Sequence, residues 1–415
     1  MSQVFRSRST RRQFAGLLLA GTQARSLFGA TFRSKTVDDV LRNGMATRRI
    51  PAVAAMVVDG TRTLYTGAFG NRDAASKIPV NADSLFQIAS MTKPITSVAA
   101  MQLVEQGRVG LDAPVSKFLP QLAEMQVLHG FTATGDPILR PAQNTITLRH
   151  LLSHTSGISY PTWHEGMFKY SQKAGVAPTS IAPVVPLMFE PGASWQYGYS
   201  VDWAGRLVEA ISGLTLQQYF RKNILDPLGM NDTDFGVAPA KFDRLVDRYQ
   251  RNPDGSFTAA PRVQPPPPTD FNGGGGLSST ANDYAKFMQM ILRYGLTGVN
   301  TQVLQARSVE AMMKNQIGGL HAGVLKSFQP NVSSDVDTNP GGVDKWGLGF
   351  LLRGPSTLGG RAEGSMAWAG IYNTYFWIDP RRGIGGVIMM QYLPFYDSAA
   401  VGLLGEFERS VYANL

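Results

Sequence analysis

The 415-residue chain contains no cysteine. That absence excludes a disulfide framework, a thiol nucleophile and any thiolate metal site. Histidine is also scarce. His129, His150, His154, His164 and His321 are the whole supply, and none stands in an H-E-x-x-H motif, so no metal is implied. The G-x-S-x-G elbow of Ser-His-Asp hydrolases is missing. So is a G-x-G-x-x-G following a strand, and the Gly273–Gly276 run lacks the Lys-Ser/Thr of a phosphate loop. No cofactor is therefore expected. Past the N-terminal leader no apolar run is long enough for a membrane span.

Acidic residues are absent from the first 35 positions, which carry Arg6, Arg8, Arg11, Arg12, Arg25, Arg33 and Lys35. These seven account for most of the net charge of +9 and leave +2 on the rest of the chain. The body is close to neutral, so a nucleic-acid partner is not expected. The leader itself, STRRQFAGLLLAGTQA, has paired arginines, a phenylalanine and a short apolar run. That pattern fits a twin-arginine export signal and a periplasmic or secreted protein. A basic tail on a cytoplasmic protein fits the same residues.

Apolar content of 43% against 17% charged residues fits a folded chain with a large core. TVDDVLRNGMATRRI places Val37, Leu41 and Met45 on one helical face. PAVAAMVVDG and TRTLYTGAFG read as a hairpin. WGLGFLLRG, SMAWAGIYNTYFWIDP and GIGGVIMMQYL read as three further strands, and SAAVGLLGEFERSVYANL as a terminal helix. Strands and helices at both ends predict an α/β fold: an antiparallel sheet built from both termini and flanked by helices, with a mainly helical domain inserted. The boundaries read as 1–35 for leader and linker, 36–112 with 341–415 for the α/β domain, and 113–340 for the helical domain with its long loops. Thr147 and Thr280 are candidate helix caps, and Gly213 is a candidate helix stop. QPPPPTD is expected to be an extended, rigid loop.

Three short stretches carry candidate chemistry. In FQIASMTKP, Ser90 and Lys93 lie three apart at the mouth of an apolar helix, so they share a face. Free amides and the positive dipole end there favour an alkoxide or oxyanion and disfavour a protonated lysine. A lysine so placed can take the proton that keeps serine a poor nucleophile. The same four residues also suit a helix cap beside a solvated lysine. In PGASWQYGYSVDW, Tyr197 precedes a helix, where it can relay a proton to a leaving group or fill space beside Trp195 and Tyr199. In AWAGIYNTYFWIDP, the Ala369–Gly370 step lets a ligand come close. The Ile371 N–H is then a candidate partner of the Ser90 N–H in an oxyanion hole. The glycine equally suits a bulge. Trp163, Trp195, Tyr199, Tyr372 and Phe395 are candidate linings of an apolar acyl pocket. His154, in SHTSG, is read as structural.

Taken in order, ASMTKP, LRHLLSHTSGISY, WQYGYSVDWAGRLVE, GGGGLSSTANDYAKF and FWIDP resemble the serine β-lactamase and penicillin-binding-protein superfamily. The likeness is to its class C-like branch of family VIII carboxylesterases and lovastatin acyltransferase, from about residue 37 onward. It implies an acylated Ser90, Lys93 as the neighbouring base and Tyr197 as proton shuttle. Trp368, Ala369 and Gly370 stand where the lactamases carry K-T-G, and Tyr199 stands where they carry asparagine. Losing the cation, the hydroxyl and the amide disfavours β-lactams and leaves the acyl-serine machinery intact. Trp368, Ala369, Gly370, Tyr199 and Trp163 become candidate substrate-binding residues.

The expected function is a serine hydrolase acting on a small-molecule carboxylic ester, with water or an alcohol as acyl acceptor. The alternatives are a β-lactamase or D-alanyl-D-alanine carboxypeptidase, and a non-catalytic protein of the same fold that binds cell-wall peptides. Acyl and alcohol specificity and the oligomeric state are left open by the sequence.

Overall fold

The computed structural model describes residues 32–175, 185–355 and 360–415. The export-leader reading falls almost wholly outside them. Helix α1 (Ser34–Arg48) buries Val37 and Leu41 and ends on Arg49 in the left-handed region. Strands β1 (Ala52–Asp59) and β2 (Thr63–Gly70) form the expected hairpin. Helix α2 (Lys93–Glu105) follows a 3-10 turn over Ala89–Thr92.

The C-terminal part gives the main sheet five strands where the sequence reading had three. WGLGFLLRG splits into β3 (Lys345–Trp346) and β4 (Leu351–Leu352). SMAWAGIYNTYFWIDP is a hairpin, β5 (Met366–Gly370) and β6 (Thr374–Asp379), before β7 (Ile384–Met389). The hidden turn runs through Ile371, Tyr372 and Asn373, with Asn373 at φ 63°. Asparagine tolerates that conformation, and apolar neighbours on both sides disguise it as a continuous strand. The sheet order is β3-β4-β5-β6-β7-β1-β2, antiparallel throughout. The two ends of the chain thus meet where β1 pairs with β7.

Between them lie α3 (Leu148–Ser153), α4 (Ser200–Ser212) and α5 (Ala281–Leu292), with further helices and small two- and three-stranded pairings. Thr147 caps α3 by accepting the His150 N–H at 3.2 Å. Thr280 caps α5 by accepting the Asp283 N–H at 3.0 Å, and Gly213 ends α4 in the left-handed region. The closing helix α6 is Ser398–Tyr412. On one face of the sheet α6 packs with α1, and Phe407 meets Trp377 at 5.5 Å. On the other, α5 lies over β1 and β7, with Tyr284 5.1 Å from Phe376. The site lies on this second side. Among the described residues no helix is long and apolar enough to cross a membrane.

Candidate active site

Ser90 does not open the α-helix, as the sequence suggested. It sits within the 3-10 turn, and the α-helix starts at Lys93. Residues three apart eclipse in a 3-10 turn, so the pair still shares a face. The turn is entered through Ala89 at φ +43°, a conformation alanine rarely adopts. Its surroundings hold it in place. Thr92 Oγ1 accepts the Leu277 N–H at 3.1 Å, the Tyr284 hydroxyl donates to Met91 O at 3.0 Å, and Ile88 N–H donates to Leu277 O at 3.1 Å.

Lys93 is fully buried. Its Nζ lies 3.2 Å from Ser90 Oγ, 3.2 Å from the Tyr160 hydroxyl and 2.6 Å from Gly274 O. Three contacts match the three N–H donors of an ammonium. A neutral amine fits equally well, donating to Tyr160 and Gly274 and turning its lone pair to the serine hydroxyl. The amine can therefore take up the serine proton without losing a partner.

Tyr197 is 2% exposed, and Lys93 Nζ stands 4.8 Å from its ring centroid. Its hydroxyl accepts a hydrogen bond from Trp368 Nε1 at 3.1 Å. Trp368 is thus buried against Tyr197, its indole 4.6 Å from that of Trp346. Ala369, facing the other way on β5, is 9% exposed. Gly370 passes close to the nucleophile turn, since a Cβ there would stand 2.3 Å from Ile88 O. Ile371 follows it, half-buried on the hairpin turn. Trp163 lies 5.4 Å from Tyr197 and donates from Nε1 to Ser333 Oγ at 3.1 Å. The Tyr199 ring packs 4.1 Å from Tyr160, and burial pushes its hydroxyl pKa up.

His154 ends α3 at φ 57°. Its ring is 4.7 Å from Tyr197 and 5.1 Å from Trp346, and neither nitrogen has a hydrogen-bond partner. Burial and the Lys93 charge hold its pKa well below the usual histidine value, so it stays neutral. It packs as an aromatic wall. Among the described residues no cluster could hold a metal ion.

Two residues at the centre were not singled out from the sequence. Tyr160, half-buried in the loop after α3, links Lys93 to Asp202 in the first turn of α4, with its hydroxyl 3.4 Å from Asp202 Oδ2. A tyrosine after SHTSGIS has no pattern that separates it from a core aromatic. Asp202 reads as an ordinary acid in a helix's first turn. The glycine run makes room for Asp202: a Cβ at Gly274 would fall 2.0 Å from Asp202 Oδ2.

A serine beside a buried amine, backed by tyrosines and facing a strand end, defines an acyl-transferring serine enzyme. The chain belongs to the Beta-lactamase family, whose model matches residues 37–407. It is 32% identical to a monacolin J acid methylbutanoyltransferase from Aspergillus terreus, over 91% of this chain and 95% of that protein. A lovastatin esterase from Penicillium rubens is 30% identical, over 91% and 98%. The unliganded simvastatin synthase of Aspergillus terreus, in its selenomethionyl form, superposes with a TM-score of 0.75 at 30% identity, over 91% of this chain and 97% of that one.

Proposed function

We propose that the protein cleaves a small-molecule carboxylic ester through an acyl group on Ser90 and passes that group to water or to an alcohol. The observation that carries this reading is the 3.2 Å approach of the buried Lys93 amine to Ser90 Oγ. Lys93 takes the serine proton as Oγ attacks the carbonyl carbon. The Ser90 and Ile371 N–H groups receive the oxyanion, a reading supported by the close passage of Gly370 past Ile88. Tyr197, facing Lys93 and held by Trp368, delivers a proton to the departing alcohol. Acyl transfer and ester hydrolysis are both named among the relatives, and the two differ only in the acceptor of the second step.

Ser90→Ala and Lys93→Ala are each expected to lower turnover of short p-nitrophenyl esters by at least about a thousandfold. Intact-protein mass spectrometry should show one acyl adduct on the wild type and none on Ser90→Ala. Full activity in either variant ends this mechanism. Nitrocefin hydrolysis faster than ester turnover would instead favour a β-lactamase. Trp368, Ala369 and Tyr199 in place of lysine, threonine and asparagine argue for the ester. Failure of a fluorophosphonate to label Ser90 would favour the peptide-binding reading. We further propose that the leader around Arg11 and Arg12 directs export. Recovery of the full-length chain only in the cytoplasmic fraction of an expressing cell would oppose that.

A further inference from the structure

Asp202 is a buried carboxylate beside Lys93 and Tyr160 that the mechanism above leaves unused. It is 1% exposed. Oδ2 lies 3.4 Å from the Tyr160 hydroxyl, and Oδ1 is buried without a hydrogen bond of good geometry. A buried carboxylate left so poorly solvated is costly, and the fold surrounds it with groups that bear on one another. Lys93 faces it from α2, Tyr160 from the loop after α3, Tyr199 from the start of its own helix, and Asn272 and Gly274 from the glycine-rich loop. His154 faces Lys93 from the end of α3 and stays neutral. Lys93 is thus the amine this carboxylate meets, and Tyr160 is the link between them.

We propose that Asp202 is a positioning residue for catalysis: its carboxylate, acting through the Tyr160 hydroxyl, orients Lys93 and stabilises the ammonium that forms when Lys93 takes the proton of Ser90. The inference rests on the acyl-serine reading of the preceding section. In the step concerned, the Ser90 O–H bond breaks and an N–H bond forms on Lys93. Oγ bonds to the carbonyl carbon, and the carbonyl electron pair moves onto its oxygen. Asp202 neither gains nor loses a proton. The new ammonium donates to the Tyr160 oxygen, which donates its own hydrogen to Asp202 Oδ2. The negative charge is already in place when the positive charge appears, so the low-dielectric site needs no water to rearrange.

The arrangement makes the rate depend on the ionised carboxylate. Burial raises the Asp202 pKa to about 6 in spite of Lys93. Activity is then present above that pH and lost below it. Asp202→Asn mimics the protonated form. Its kcat for a p-nitrophenyl ester should fall roughly hundredfold at pH 7.5, with KM within about twofold. The gap should shrink to about tenfold at pH 5, where most of the wild-type residue is protonated as well. The variant should also melt at a higher temperature at pH 7.5, since it removes a buried charge. A merely structural aspartate would give a rate ratio constant from pH 5 to 8, or a destabilised variant, and either result overturns the proposal. Tyr160→Phe supplies an independent arm. It should flatten the same acid limb, and a wild-type limb in that variant also overturns the proposal. Ser90→Ala and Lys93→Ala separate the two readings. If both are inactive while Asp202→Asn behaves as wild type, this inference alone falls. If Ser90→Ala is active, the acyl-serine reading falls first.

Discussion

At the scale of single residues, the site is built from groups that are unfavourable by themselves. Ala89 adopts a left-handed φ, His154 is buried without a partner, and Asp202 is buried with one oxygen unpaired. Asp202 gives this a measurable form. The folded chain holds its carboxyl proton up to about pH 6, against an ordinary value of 3.8. Between those values the folded state binds a proton that the unfolded state has released, so stability is greatest at the acid end and declines as pH rises. At pH 7 the loss corresponds to about 3 kcal/mol for a fully buried group. Chemical denaturation of Asp202→Asn should therefore give a larger unfolding free energy than wild type at pH 7.5 and nearly the same value at pH 4. Equal curves at both values would mean that the carboxylate is better solvated than its burial implies. Such a trade, stability given up for a charged group at the site, is common among enzymes.

At the scale of elements, what could be read in the sequence depended on whether neighbours in space were neighbours in the chain. Ser90 and Lys93 were legible because three residues bring them together by local geometry alone. The caps at Thr147 and Thr280 and the stop at Gly213 were legible for the same reason. Tyr160 and Asp202 were not, because 67 positions separate Tyr160 from Lys93 and 42 separate it from Asp202. The hairpin between β5 and β6 was read as one strand, since its turn residues Ile371 and Tyr372 are as apolar as a strand's. That hairpin matters to function through Gly370, the last residue of β5. A Cβ at this position would meet both Ile88 O and Thr374 Oγ1 at 2.3 Å. The obstacle on one side is backbone, two residues before Ser90, and cannot swing away. Gly370→Ala should push the strand end off the nucleophile turn and lower kcat by roughly a hundredfold, as expected for losing an oxyanion donor. Circular dichroism should stay close to wild type, because β5 keeps its register with β6. Unchanged kcat would show that the strand end lies outside the oxyanion site.

At the scale of the whole molecule, the chain closes its sheet with both ends, so the site depends on helices that never touch it. Helix α6 shows this most directly. Leu403, Phe407 and Val411 are fully buried against the sheet and α1, and burying each contributes about 2 kcal/mol. Their sum approaches the whole net stability of a typical domain, about 5–15 kcal/mol. Removing α6 would also uncover Trp377 and leave the α1 face without cover. A chain ending at residue 397 keeps Ser90, Lys93, Tyr160, Tyr197 and Asp202, yet it should lose esterase activity, bind a hydrophobic dye and recover poorly from the soluble fraction. The ion pair between the same two helices is a different matter. Arg48 reaches Glu406 through both terminal nitrogens, at 3.0 and 2.5 Å, but both side chains are partly solvated. Glu406→Ala should cost at most about 1 kcal/mol and leave the rate unchanged. The contrast between these two variants locates the cohesion of the molecule in apolar burial. If the truncated chain stayed folded and active, the two-ended sheet would not be what holds Ser90 in place.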